Sequence, residues 1–254
     1  MAFAASRLPR YESRSKPVAV AAFALAAIGL VVHGQALYGD VNLDSGFNLT
    51  LAGAVSLVGF ELALIAVFAA MEPTLRGMSA GLLLLAALAG LLTGAGGLSE
   101  STASMIWQLR LHVMLAMAAY GLLTVGAIVA VYALVQERRL RAGRISAMNH
   151  LFAPLETTEK LLYNVATAGL AVLAASLIAG SIFIENLFAQ HLAHKVVLSS
   201  LAVVVFGILV AGRYLAGWRG KRGVYLYLGG YALLGLAYFG SRFILENILG
   251  RSWG

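Results

Sequence analysis

The sequence contains no cysteine. That excludes disulfides, thiolate metal sites and thiol–disulfide exchange by this chain itself. Charge is also scarce. Only 11% of the 254 residues are Asp, Glu, Lys or Arg, against about 25% in ordinary soluble domains. The signatures of soluble enzymes are missing. No Walker A motif is present, so the chain cannot power nucleotide hydrolysis alone, and no HExxH, serine elbow or pair of catalytic acids stands out. The one glycine-rich run, "GAGGLS", falls in a connection between apolar segments, where a nucleotide is poorly served. No motif marks the chain as an enzyme.

What the chain does have is hydrocarbon. Hydrophobic residues make up 61% of it. Runs of roughly 20 apolar residues recur, each long enough to cross about 30 Å of lipid core. The expected fold is all-α: a polytopic transmembrane helical bundle of about seven spans, placed near 17–38, 47–71, 78–95, 108–135, 161–184, 195–212 and 223–248. The 28 glycines suit membrane helices that pack closely through small residues. Residues 1–16, "MAFAASRLPRYESRSK", are basic and polar. The first span is too long for a signal-peptide core and lacks a clear cleavage site, so it reads as retained. Residues 17–254 read as one integral domain.

Lys and Arg set the expected orientation. They gather in the first 16 residues (Arg7, Arg10, Arg14, Lys16), in "MEPTLRG" (Arg76), in "QERRLRAGR" (Arg138, Arg139, Arg141, Arg144) and in "GWRGKRG" (Arg219, Lys221, Arg222). With seven spans these four segments share one side, the cytoplasm. The N-terminus is then cytoplasmic and the C-terminus extracytoplasmic. The opposite connections, "YGDVNLDSG", "GAGGLSESTASMIWQLR" and "ENLFAQHLAHK", carry acids such as Asp40, Asp44, Glu100 and Glu185. The net charge of +7 follows from this asymmetry and does not imply nucleic acid. The segment 136–160 is the longest polar stretch. Pro154 breaks any helix there, and "ETTEK" predicts an amphipathic piece on the cytoplasmic surface.

Five histidines are present, and the topology puts four of them near the outer face. His33 ends the first span, His112 opens the fourth, and His191 and His194 flank the start of the sixth. Only His150 falls on the cytoplasmic side. Neutral imidazole ligates haem iron and transition metals. An axial pair takes one histidine from each of two facing helices, here His112 with His194 or His191. His191 and His194, three apart, share a helix face, an arrangement that could also bind a bare divalent metal. Arg110 and Lys195 stand beside them as partners for haem propionates. The plain alternative is that each histidine is a half-wet residue of the membrane rim.

Other polar residues within spans are few. Glu61, in "GFELALI", is mid-span, where a carboxylate is costly. It reads either as a functional group, as in a transporter or permease subunit for another solute or metal, or as a carboxyl hydrogen-bonded within the bundle. Asn164 and Thr167 read as interhelical hydrogen bonds. Tyr227, Tyr231 and Tyr238 read as packing or anchoring residues, and Trp107 and Trp218 as belt residues at opposite faces.

The order of the segments "DSGFNLTLAGAVSLVGFELALI", "LRLHVMLAMAAYGLLTVGAIVAVYALVQ", "HKVVLSSLAVVVFGILVAGRYLAGWRGKRG" and "LAYFGSRFILE" resembles the cytochrome c assembly protein family, in its YpjD/HemX-like branch. The likeness runs from about residue 18 over nearly the whole chain. It implies a multi-pass protein of the bacterial inner membrane that handles haem b, by delivery or transport, alongside other cytochrome c maturation proteins. By position, His112 matches the family's outer haem-associated histidine, His194 the branch's "HK", and His33 a histidine closing an early span. Two departures stand out. "ENLFAQHLAHK" lacks the tryptophans of the family's haem-cradling segment, and "YFGSRFILE" lacks its second outer histidine. The resemblance therefore implies haem handling rather than attachment of haem to apocytochrome. A permease subunit and a non-binding membrane scaffold remain the alternatives.

Overall fold

The computed structural model describes residues 15–43, 46–47, 51–94, 107–142, 154–183 and 193–237. They are almost entirely helical. Helices α1 (Ser15–Val41), α2 (Leu51–Ala70) and α3 (Arg76–Gly90) are followed by the long α4 (Trp107–Arg141), then α5 (Leu155–Phe183), α6 (Ala193–Ala216) and α7 (Lys221–Gly235). A two-residue antiparallel pairing, β1 (Asn42–Leu43) with β2 (Gly46–Phe47), closes the connection after α1. Among the described residues, six segments are long and apolar enough to cross a membrane: Lys16–Gly39, Ala52–Ala70, Pro73–Gly90, Trp107–Arg141, Leu155–Ile182 and Lys195–Ala216. The described part of α7 is shorter, and the rest of its expected span, from 238 onward, lies outside the described residues.

The described chain forms two compact units. The N-terminal unit holds α1, α2 and α3, with Val135–Thr158. The other holds Met105–Leu134 and Glu159–Gly254. In the first, small residues fill the interior: Ala22, Ala70 and Ala80 cluster on α1, α2 and α3, with Phe23, Ala26 and Leu83 packed around them. Many large aliphatic residues turn outward; on α1, Leu25, Ile28 and Val32 are each about 60% exposed or more. That is the pattern expected where the surroundings are as apolar as leucine and close packing, not water exclusion, holds helices together. Gly59 shows the packing constraint directly. A Cβ there would meet the Ala89 Cβ at 2.5 Å. At the turn into α3, the Arg76 Nε donates to the Ala70 carbonyl (3.3 Å) and so satisfies an orphan acceptor at the end of α2.

In the second unit α4 and α7 are joined by tyrosines. Tyr120 donates to the Leu234 carbonyl (2.8 Å) and Tyr227 to the Leu123 carbonyl (3.1 Å). Tyr231 and Thr124 share a hydrogen bond at 2.9 Å. Tyr227 is fully buried, edge-on to Phe206 with ring centroids 5.2 Å apart, and its hydroxyl sits where a Cβ on Gly126 would stand. The packing role expected for Tyr227 and Tyr231 is what the structure has; Tyr238 lies outside the described residues. The α6–α7 corner is tied to α5. Tyr163 and Arg213 both donate to the Trp218 carbonyl at 3.1 Å, and Glu159 accepts from the Gly220 N–H at 2.8 Å. Gly217 and Gly220 have φ of +62° and +68°, which L side chains adopt only with strain.

Two expectations change. "ETTEK" is not a separate surface piece: α5 runs unbroken from Leu155, starting directly after Pro154, whose fixed φ and missing N–H suit a helix start. Thr167 does not bridge helices. Its hydroxyl donates to the Tyr163 carbonyl, four residues back on its own helix (2.8 Å), as threonine does when no partner helix offers an acceptor. Asn164 is exposed.

Candidate functional site: the histidine end of the helices

Of the four histidines expected at the outer face, the structure describes the side chains of two. His191 and His150 lie outside the described residues. His194 is the second residue of α6, and its side chain is also outside the described set. Lys195 beside it is half-buried.

His112 is in the second turn of α4, at the end opposite the Arg138, Arg139 and Arg141 cluster of its last turn. Arg110 beside it is exposed. The His112 ring lies in a groove on α5. Its Nδ1 is 2.9 Å from the Ser176 carbonyl oxygen. A carbonyl only accepts, so Nδ1 carries the proton and donates. In the neutral ring Nε2 is then the nitrogen with a free lone pair, and no described residue hydrogen-bonds to it. The Ser176 hydroxyl stands 3.4 Å from Nδ1 and from the His112 carbonyl, too long to contribute much. One turn further along α5, Gly180 makes the groove. A Cβ there would come within 2.9 Å of the His112 Cε1. The result is an imidazole with a fixed tautomer and one open nitrogen.

His33, on α1, is differently placed. Its Nε2 shares a hydrogen bond with the Ser56 hydroxyl on α2 (2.9 Å), and Ser56 shares another with the Thr93 hydroxyl just past α3 (2.6 Å). The ring stands edge-on to Phe60 at 5.8 Å, and Gly90 lies under it. His33 thus ties three helices, with Ser56 fully buried between them. Ser56→Ala is expected to cost about 0.6–2 kcal/mol, since it orphans two polar groups; thermal unfolding of the detergent-solubilised protein measures it. Among the described residues no three His, Asp or Glu side chains come together as a metal site.

Neither Ser56, Thr93, Ser176 nor Gly180 was singled out from sequence. The only signal was the small residues of "AASLIAGS", which mark a face where another helix approaches closely.

The comparison with known proteins decides the family. The model of the family described as "Cytochrome C assembly protein" matches residues 19–249. The chain belongs to the cytochrome c assembly family. The "Inner membrane protein YpjD" of Escherichia coli strain K12 is 31% identical over 232 residues, covering 88% of this chain and 86% of its own. An "Uncharacterized 28.8 kDa protein in nifR3-like 5'region" of Azospirillum brasilense is 33% identical over 147 residues, 57% of this chain and 54% of its own. No solved structure matches. The resemblance read from the sequence is borne out, as are the all-helical fold and the multi-pass placement in the bacterial inner membrane. Family membership supports a role in cytochrome c biogenesis.

Proposed function

We propose that this family member binds haem b at the histidine end of its helices and hands it on during cytochrome c maturation, with His112 as an iron ligand. In this reading the arginine-rich ends face the cytoplasm, residues 1–16 with them, and the histidine end faces outward. Residues 17–254 act as one integral domain. The observation that carries the reading is the His112 ring itself. A ligating histidine needs its other nitrogen held by an acceptor, which fixes the tautomer and raises the basicity of the ligating nitrogen. The Nδ1–H bond to the Ser176 carbonyl fixes the tautomer here, and the Gly180 groove holds the ring's angle.

Haem, when bound, would supply an iron with affinity for imidazole nitrogen. His112 offers that nitrogen, and Ser176 and Gly180 position it. His194, at the start of α6 in the same compact unit, is the second ligand candidate, followed by His191. Arg110 and Lys195 supply positive charge for propionates. His33 is a weaker candidate, because ligation through Nε2 breaks its bond to Ser56. No covalent step by the chain is part of this role.

The absorption spectrum of protein purified from haem-replete cells tests the proposal. A Soret band is expected in the wild type, weakened in His112→Ala and in His194→Ala and absent from the double variant. A colourless wild-type protein, or a double variant with an unaltered band, overturns it.

A further inference from the structure

Glu61 takes no part in the histidine end. It is the eleventh of the 20 residues of α2, and it is the only charged or titratable residue on that helix. The ten residues before it and the nine after it each correspond to roughly 15 Å of helix, so the carboxyl is near mid-membrane. Its Oε2 is buried and accepts no hydrogen bond from any described residue. A carboxylate there requires donors or a cation to offset desolvation.

The elements of the N-terminal unit that pack on α2 do not supply one. On α1 the described titratable side chains are Lys16, at the helix start and exposed, His33, engaged with Ser56, and Tyr38, exposed near the helix end; of Asp40 only the backbone is described. At the connection to α3, Glu72 accepts from Thr74. Arg76 donates to the Ala70 carbonyl, nine residues along α2 from Glu61. A metal ion fits no better. Hard cations take six or so oxygen ligands, and no cluster of three acidic or histidine side chains exists among the described residues. A proton needs only the one carboxyl.

We propose that Glu61 is a proton-exchanging site within the membrane, through which the three-helix N-terminal unit takes up and releases one proton. On uptake a proton from water adds to a carboxylate oxygen and the neutral acid is the form suited to hydrocarbon. On release the O–H bond breaks and the proton returns to water. This is independent of haem, so either proposal can fail without the other.

Infrared difference spectroscopy of the protein in lipid vesicles, titrated with pH, tests it. The wild type is expected to show a neutral-carboxyl C=O band that rises as pH falls and is missing from Glu61→Gln. If that variant fails to fold, Glu61→Asp makes the assignment by shifting the band. A spectrum with no neutral-carboxyl band attributable to Glu61, or with one that stays constant across the folded pH range, overturns the proposal.

Discussion

Gly180→Leu is expected to weaken haem binding by at least about tenfold, although glycine has no atom to give to iron; changes to the groups that orient a metal's ligand typically cost about 10–100-fold. The His112 ring occupies the space above Gly180, and even the first carbon of a new side chain would stand 2.9 Å from Cε1. The ring must tilt, the bond from Nδ1 to the Ser176 carbonyl stretches, and the open nitrogen turns away from its productive direction. The variant also loses stability, because overpacking a tight contact costs about 1–3 kcal/mol. The two effects separate in the double variant His112→Ala/Gly180→Leu. Removing the ring makes room for leucine, so thermal stability returns toward that of His112→Ala, while haem binding stays weakened. A Gly180→Leu protein that titrates with haem like the wild type would show that the groove does not position the ligand.

Gly126→Leu is expected to be the most damaging single change, destabilising the chain by about 3 kcal/mol or more by overpacking. The Tyr227 hydroxyl stands against the α-carbon of Gly126, in the volume of the missing side chain. Tyr227 cannot swing aside cheaply. It is fully buried, bonded to the Leu123 carbonyl and edge-on to Phe206. Inserting leucine forces α4 and α7 apart and breaks the neighbouring pairs, Tyr120 with Leu234 and Tyr231 with Thr124. Gly29→Leu is the control, since nothing lies within 4 Å of a Cβ there. Yield and monodispersity on size-exclusion chromatography, followed by thermal unfolding, compare the two. Equal behaviour would mean that α4 and α7 do not meet as described.

The contrast between these glycines shows what sequence could and could not provide. Apolar runs marked the helices because a membrane demands about 20 apolar residues in a row, a one-dimensional property. Tyr227 and Tyr231 were readable as packing residues because buried aromatics fill space whatever their partner. His112 stood out because it opens a span. Its supports did not, since Ser176 is 64 residues away and the rotation of α5 against α4 is not written in either helix alone. His33 looked like His112 in sequence, and only the Ser56–Thr93 chain distinguishes them. Thr167 misled for the opposite reason: its acceptor is on its own helix, an option that every threonine in a helix has.

The account depends most on His112 offering its Nε2 to iron. Replacing it by glycine and then supplying free imidazole tests that atom directly. With haem added to purified His112→Gly, the account predicts a weak or shifted Soret band, and recovery toward the wild-type spectrum as imidazole fills the vacated position. A glycine variant that binds haem with the wild-type spectrum and affinity before any imidazole is added would contradict it.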